Sequence, residues 1–328
     1  MLAPFVLRRL KRDVLDQLTD KTIVVQRLAM TTAQQSVYDN ILLGHATRKE
    51  VLKVRKQTEE KAQLVLEDRV RSRVTAAVDD QIASTVIQQL SSSEANHLFT
   101  ALRKAANHPL LLRVRYKDEK VMEKIAMISH SMGHFGNQCD YQRVRDEIDG
   151  MSDFDLHQLC LEYEALHSLQ LDASALYDSP KMRLLQTLLP QLQAEGHRVL
   201  VFSQWTRLLD LLEVLLQDIS LRYLRLDGST PVKTRQDLIN TYNTDTSIPV
   251  FLLSTKAGGL GINLTAADTV ILHDLDFNPE NDKQAEDRCH RIGQTRPVTV
   301  YKLFAQDSVD EDIYEMGERK SKLSKAVL

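Results

Sequence analysis

The segment Asp287-Arg288-Cys289-His290-Arg291-Ile292-Gly293-Gln294-Thr295-Arg296 carries two arginines three residues apart, with a glycine turn shortly after them. That spacing puts both side chains on one face at the end of a helix. A guanidinium is permanently charged, and its fork of donors matches phosphate oxygens two at a time. Beside a nucleoside triphosphate such an arginine stabilises charge developing on the transferred phosphoryl group, an effect of roughly 10³–10⁵ in rate. The same spacing also suits a surface ion pair with Asp287 or Glu286, so the pair has to be read with its surroundings.

Those surroundings are rich in strand-to-turn segments. Leu252-Leu253-Ser254-Thr255-Lys256-Ala257-Gly258-Gly259-Leu260-Gly261-Ile262-Asn263-Leu264 is an apolar strand running into a glycine-rich turn with polar residues at its mouth. Glycines such as Gly259 and Gly261 let the backbone approach a ligand closely and free its N–H groups for phosphate. Val199-Leu200-Val201-Phe202-Ser203-Gln204-Trp205 is another apolar strand ending in polar residues, and Leu226-Asp227-Gly228-Ser229-Thr230-Pro231 reads as a strand-to-helix turn.

Holding these segments together requires an ordered scaffold, and from Ser179 onward the chain alternates between the two periodicities. A helix runs from Ser179-Pro180 to about Ala194. Strands are expected at 198–203, 222–226, 249–254, 268–274 and 298–304, with helices near 206–217, 231–243 and 280–291. Continuous apolar strands alternating with helices imply a parallel sheet covered on both faces, with its turns along one ligand-binding edge. Upstream, residues 30–110 are helical. Leu66, Val70, Val74, Val78, Ile82, Val86 and Leu90 form a stripe, Ser91-Ser92-Ser93-Glu94 offers a capping box, and Asn107-His108-Pro109 stops the following helix. The basic residues between Arg48 and Arg73 alternate with glutamates and read mainly as a solvated face. Ser308-Val309-Asp310-Glu311 opens a final helix.

The bulk composition is that of an ordinary globular chain: 328 residues, 43% hydrophobic and 27% charged. A net charge of −3 gives no global attraction to nucleic acid, so any such binding has to come from local patches. Three scattered cysteines suit a reducing compartment and no disulfide framework. His130, His134, Cys139 and His157 match no common zinc spacing, so no metal site is expected. No apolar run reaches membrane-spanning length, and the start of the chain lacks the pattern of a signal peptide, so an intracellular protein is expected.

Taken in order, the motif segments resemble the second RecA-like lobe of superfamily-two helicase-type ATPases. The wording His290-Arg291-Ile292-Gly293-Gln294 is similar to that of the SWI/SNF-type chromatin-remodelling, DNA-translocating ATPases. Pro4-Phe5-Val6-Leu7-Arg8-Arg9-Leu10-Lys11-Arg12-Asp13-Val14 resembles the link between the two lobes, and Leu102-Arg103-Lys104-Ala105-Ala106-Asn107-His108-Pro109-Leu110-Leu111 the helical protrusion. Asp274-Leu275-Asp276-Phe277-Asn278-Pro279 has Phe where many members carry Trp. With Ala3-Pro4-Phe5 and Ser308-Val309-Asp310-Glu311-Asp312-Ile313-Tyr314, it most resembles the SMARCAD/ETL-type subfamily, in its plant or algal branch. The resemblance implies an inter-lobe linker over 1–30, a protrusion over 31–116 and an insertion, mostly helical or irregular, over 117–178. It also implies a RecA-like α/β lobe over 179–305 and a brace helix over 306–328.

It further implies that Arg288 and Arg291 are paired arginine fingers, that Gln294 couples them to ATP or DNA, and that Asn263 meets the nucleotide ribose. A turn residue bonding its own backbone is the other reading of Asn263. Ser254, Thr255 and Lys256 are implied to grip DNA phosphates without regard to sequence, with Ser203, Gln204, Trp205, Gly228, Ser229 and Thr230 in similar roles. Trp205 fits core packing equally well, and Phe277 either touches the DNA groove or wedges the lobe surface. His273 and His290 read as structural residues. The sequence has no Gly-x-x-x-x-Gly-Lys-Ser/Thr loop and no Asp-Glu-x-His segment, both of which the family carries in its first lobe. The expectation is half of a nuclear motor. ATP and Mg2+ would be held mainly by the first lobe, the partners would be double-stranded DNA and nucleosomes, and this polypeptide alone would not turn over ATP. The competing class is a non-catalytic module that binds DNA or chromatin.

Overall fold

The computed structural model describes residues 18–44, 96–258 and 262–327. The Pro4–Val14 segment, the stripe from Leu66 to Leu90, the basic run, the Ser91–Glu94 capping box, Gly259 and Gly261 lie outside them.

The first described element is strand β1 (Lys21–Leu28), followed by helix α1 (residues 32–44) and helix α2 (residues 96–107). Helices α3 (Glu119–Ser131), α4 (Tyr141–Gly150) and α5 (Asp153–Glu162) follow, in the stretch expected to be an insertion. The α/β part then runs α6 (Pro180–Ala194), β2 (Val199–Ser203), α7 (Thr206–Asp218), β3 (Tyr223–Leu226), α8 (Val232–Thr244) and β4 (Val250–Ser254). It continues through α9 (Thr255–Gly258), β5 (Thr269–Leu272), α10 (Pro279–Glu286), β6 (Val298–Ala305) and α11 (Val309–Val327).

The six strands form one sheet in the order β1-β6-β5-β2-β4-β3, with every pairing parallel. Every residue of β2, β4 and β5 is buried, as apolar runs covered on both faces require. Their side chains alternate between two cores. Val199, Val201, Leu252 and Ile271 pack with α6 and α7, while Leu200, Phe202, Leu253 and Val270 pack with Ile239, Tyr242 and Ala285 on the other face.

The sheet has one strand more than the five expected. Strand β1 falls in the segment assigned to the linker, yet it pairs residue for residue with β6, from Lys21↔Val298 to Leu28↔Ala305. It is an edge strand with Ile23 and Val25 exposed, so it shows neither a continuous apolar run nor a clean alternation. Ion pairs from Lys21 to Glu286 (2.7 Å) and Arg27 to Glu311 (2.8 Å) hold it in register.

Ser179 precedes α6 as expected, but its hydroxyl donates to the Asn107 carbonyl (2.8 Å) instead of capping the helix. Beside it, Lys181 is fully buried. Its ammonium donates to Asn107 Oδ1 (2.9 Å) on α2, the His273 carbonyl (3.0 Å) after β5 and Asp310 (2.6 Å) on α11. One buried cation therefore ties together four segments distant in sequence, and the start of α11 packs against α1 and α2 through Val309, Tyr38 and Leu102.

Helices α3, α4 and α5 share a core of their own, built from Met122, Ile125, Val144, Ile148, Leu156 and Leu159. Buried Asp153 docks it by accepting the backbone N–H groups of Val114 (2.9 Å), Arg115 (2.8 Å) and Tyr116 (3.2 Å). His157 Nδ1 accepts Leu171 N–H (3.1 Å), and His134 Nδ1 pairs with the Tyr163 hydroxyl (2.8 Å), so both rings serve local structure.

Candidate functional site

All strands of a parallel sheet end on the same edge, and the segments that directly follow β2, β3 and β4 lie there. The chain leaves β2 toward the β3 side and leaves β5 toward the β6 side, so the connections after these neighbouring strands diverge. Divergence opens a crevice at the strand ends. Here it is a cleft of about 460 Å³ whose walls include Arg103, Gln204, Trp205, Thr255, Lys256 and Asp276.

Four of the expected DNA-contacting residues thus share one cleft: Gln204, Trp205, Thr255 and Lys256. Phe277, 37% exposed, belongs to the adjacent loop, with its ring 5.0 Å from that of Phe99. Trp205 packs against the α6–α7 core and also lines the cleft. Ser203 and Ser254 do not face it. Both are buried: the Ser203 hydroxyl donates to Asp274 and accepts Trp205 N–H (3.0 Å), and Ser254 Oγ accepts Ala257 N–H (3.3 Å). They shape the loops on which the exposed residues stand, so the contact role expected for them is corrected to a supporting one.

Gly228, Ser229 and Thr230 lie at the end of β3, the outermost strand, and are not part of the cleft wall. Their turn is organised by Asp227, whose carboxylate accepts the Ser229 N–H (2.8 Å) and hydroxyl (2.6 Å), while Thr230 Oγ1 accepts Asp227 N–H (3.1 Å). Arg225 braces that carboxylate and also pairs with Asp210 and Glu213 on α7.

The arginine segment departs from its expected form. Helix α10 stops at Glu286, so Arg288 and Arg291 stand in turns after it and not on a helical face. The chain tightens there: Arg288 N–H bonds back to Ala285 (3.2 Å) and Cys289 N–H to Glu286 (3.2 Å). Tertiary contacts favour this course. Buried Cys289 donates to the Ala267 carbonyl (2.9 Å), Leu264 N–H donates to the Arg288 carbonyl (3.1 Å), and Arg291 reaches the Ile262 carbonyl (3.4 Å). Both arginines are thereby half-buried against the 262–264 turn, which also holds exposed Asn263. Burial and the neighbouring Arg291 lower the pKa of Arg288, against an opposing pull from Asp287. Glu286, the other candidate for an ion pair, is committed to Lys21 (2.7 Å) and Lys302 (3.3 Å). Burial pushes its carboxyl up, but the two lysines outweigh that and hold it below the usual range.

Gln294 faces inward, against expectation. Its amide N–H groups serve the Thr265, Ala267 and Cys289 carbonyls, and its Oε1 accepts Thr295 and Arg296 N–H (both 3.0 Å). It is a staple of the turn with its polar atoms already engaged. Arg296 bonds the Gly196 carbonyl (2.8 Å) and pairs with Asp268 (2.7 Å) at the opposite end of β5. His290 is buried with Nε2 on the Thr19 carbonyl (2.8 Å), and His273 is fully buried, its pKa driven well down by burial and nearby Lys181.

Sequence reasoning passed over two residues that organise the cleft, Arg103 and Asp274, and one that organises the turn after β3, Arg225. The first two act on residues far away in sequence, so spacing gave no signal; Arg225 and Asp227, two apart, offered a weak one.

A parallel sheet with helices on both faces and motif turns along one strand-end edge defines a RecA-like helicase lobe. Residues 180–293 match the helicase conserved C-terminal domain, and residues 1–111 match the SNF2-related domain. The whole chain is 44% identical to Protein CHROMATIN REMODELING 19 of Arabidopsis thaliana, covering 40% of that protein. It is 41% identical to the human SWI/SNF-related matrix-associated actin-dependent regulator of chromatin subfamily A containing DEAD/H box 1 over 98% of this chain and 28% of that protein. The crystal structure of the C-terminal part of the Fun30 ATPase domain superposes with a TM-score of 0.72 at 35% identity, covering 92% of this chain and 90% of that one. The chain belongs to the SWI/SNF-type family of chromatin-remodelling ATPase domains, in the SMARCAD/Fun30 subfamily. It spans well under half the length of these two full-length relatives.

Proposed function

We propose that this chain is the C-terminal motor lobe of an ATP-dependent translocase that moves double-stranded DNA on nucleosomes in the nucleus. The observation that carries the reading is the half-buried Arg288–Arg291 pair, held against the 262–264 turn, in a lobe whose strand ends bear a polar cleft. Two guanidiniums brought side by side in a partly desolvated place favour an anion of high charge density beside them. The lowered pKa of Arg288 supports that account and fits a triphosphate.

Bound ATP supplies the phosphoryl group, and its magnesium ion is left to the first lobe. On this chain, Arg288 and Arg291 act as fingers stabilising charge on the phosphoryl oxygens. Asn263 borders the nucleotide. Thr255 and Lys256, with Gln204, Trp205 and Phe277, hold the DNA backbone. Hydroxyl, amide and ammonium groups there grip phosphates without reading bases, as translocation requires. The Gly228–Thr230 turn extends this track along the sheet edge. Closing of the first lobe on the arginines would couple hydrolysis to a change of grip.

The test joins this chain behind a first RecA-like lobe and measures DNA-stimulated ATP hydrolysis. Arg291→Ala is expected to lower turnover by roughly 10³-fold or more; unchanged turnover sinks the finger role. The 328-residue chain alone is expected to show no hydrolysis with or without duplex DNA. Robust DNA-stimulated turnover that survives further purification would show a complete nucleotide site here and overturn the half-motor reading.

A further inference from the structure

The cleft has a component that lies outside the α/β lobe. Arg103 extends from helix α2, is only 7% exposed, and ends between the two loops that carry the aromatic residues. One Nη donates to the Leu275 carbonyl (2.9 Å), the other to Gln204 Oε1 (3.4 Å), and Asp274 lies 4.0 Å away. The guanidinium carbon is 5.7 Å from the Trp205 ring centroid and 5.5 Å from that of Phe277. The loops after β2 and β5 are also joined directly: Gln204 Nε2 donates to the same Leu275 carbonyl (2.9 Å), and Asp274 accepts Gln204 N–H (3.0 Å) and the Ser203 hydroxyl. Arg103 thus completes a triangle whose other corners are the Gln204 amide and the Leu275 carbonyl.

We propose that Arg103 is the positioning residue of the cleft, a strut from helix α2 that spaces Trp205 from Phe277 and ties both loops to the protrusion. A planar cation suits this place because its faces pack against rings while its edge donates to a carbonyl and an amide; an ammonium does only part of this. Being buried, Arg103 does not meet phosphate itself. It acts through the residues it holds. A shift of α2 therefore moves both aromatic side chains together, which gives the protrusion a mechanical hold on the grip. This rests on the proposed DNA role of the cleft only for its effect on binding, and not for the strut itself.

Trp205 is the single tryptophan of the chain, so its fluorescence reports on this cleft alone. The experiment compares the 328-residue chain with Arg103→Met and Arg103→Lys, first without DNA. Both variants are expected to show altered Trp205 emission and greater quenching by acrylamide, with cooperative thermal unfolding retained. Arg103→Lys preserves charge and length and decides the matter if Arg103→Met does not fold. Unchanged emission and quenching in the folded variant overturn the strut. A duplex DNA titration over a range of salt concentrations follows. Arg103→Met is expected to weaken binding about tenfold with an unchanged slope of log K against log salt. Lys256→Ala, a phosphate contact, is expected to reduce that slope by about one. A reduced slope for Arg103→Met makes it a phosphate contact and overturns the positioning role, and unchanged affinity overturns its link to the grip. If the unsubstituted chain does not bind DNA, the cleft reading fails while the fluorescence comparison still decides the strut.

Discussion

Arg225, near the end of β3, and the Arg288–Arg291 pair, in the turns that lead to the start of β6, have opposite surroundings. Arg225 is enclosed by Asp210, Glu213 and Asp227, and these carboxylates raise its pKa against the cost of burial. Arg288 is half-buried beside another arginine, and its pKa is lowered. The first is a balanced knot that fixes a turn. The second sets two guanidiniums side by side, with Asp287 opposing the fall in pKa and with backbone and thiol contacts holding the segment. Carboxylates dominate the surroundings of the first arginine, and burial with a second cation dominates those of Arg288.

The same contrast holds for carboxylates one turn apart on α10. Glu286 has two lysines and titrates below its usual range, whereas burial pushes Asp282 up to about 7, with Lys302 only partly offsetting it. Asp282 accepts the Asp276 N–H (3.2 Å) and so shapes the loop leading to Phe277.

Crossed substitutions put this comparison at risk. Arg291→Ala, with its roughly 10³-fold effect on turnover in the joined motor, should cost less than about 1 kcal/mol of stability by denaturant titration. A larger loss would make it a structural residue like Arg225. Arg225→Met should do the reverse, destabilising the fold by about 3 kcal/mol because three carboxylates lose their cation. That loss should shrink as the pH falls and the carboxylates become protonated; a loss independent of pH would mean that packing, and not charge balance, sets the role of Arg225.

Asp282 carries the comparison into pH dependence. Its pKa in the folded chain, about 7, lies above the ordinary 3.8, so between these values the native state binds more protons than the unfolded state. Its contribution to stability is therefore present below about pH 4 and is lost as the pH rises through about 7. Asp282→Asn, which keeps an acceptor but cannot ionise, should match the unsubstituted chain in thermal stability near pH 4. At pH 8 it should exceed it by up to about 4 kcal/mol, the equivalent of a shift of roughly three pKa units. An equal difference at both pH values would show that Asp282 does not titrate in this range.

The α/β part was legible because central parallel strands must be apolar throughout, and β2, β4 and β5 announce themselves as such. Strand β1 was not, since an edge strand with exposed Ile23 and Val25 carries a mixed signal and owes its place to pairing with β6. The cleft divided in the same way. Gln204, Trp205, Thr255 and Lys256 could be located because they directly follow strands, and every strand end points to one edge. Ser203 and Ser254 looked equivalent to them and proved to be buried, because side-chain direction at a strand's last residue depends on what the next loop packs against.

The residue sequence by itself determined the parallel α/β lobe, its strand ends and the presence of two arginines next to a glycine turn, since periodicity and residue chemistry are local properties. Only the tertiary structure decided that Gln294 turns inward, that Arg288 and Arg291 leave the helix, and that Arg103 crosses from α2 to join two loops. Those outcomes depend on which distant carbonyls, carboxylates and rings the fold brings within reach. Local spacing carries no record of them.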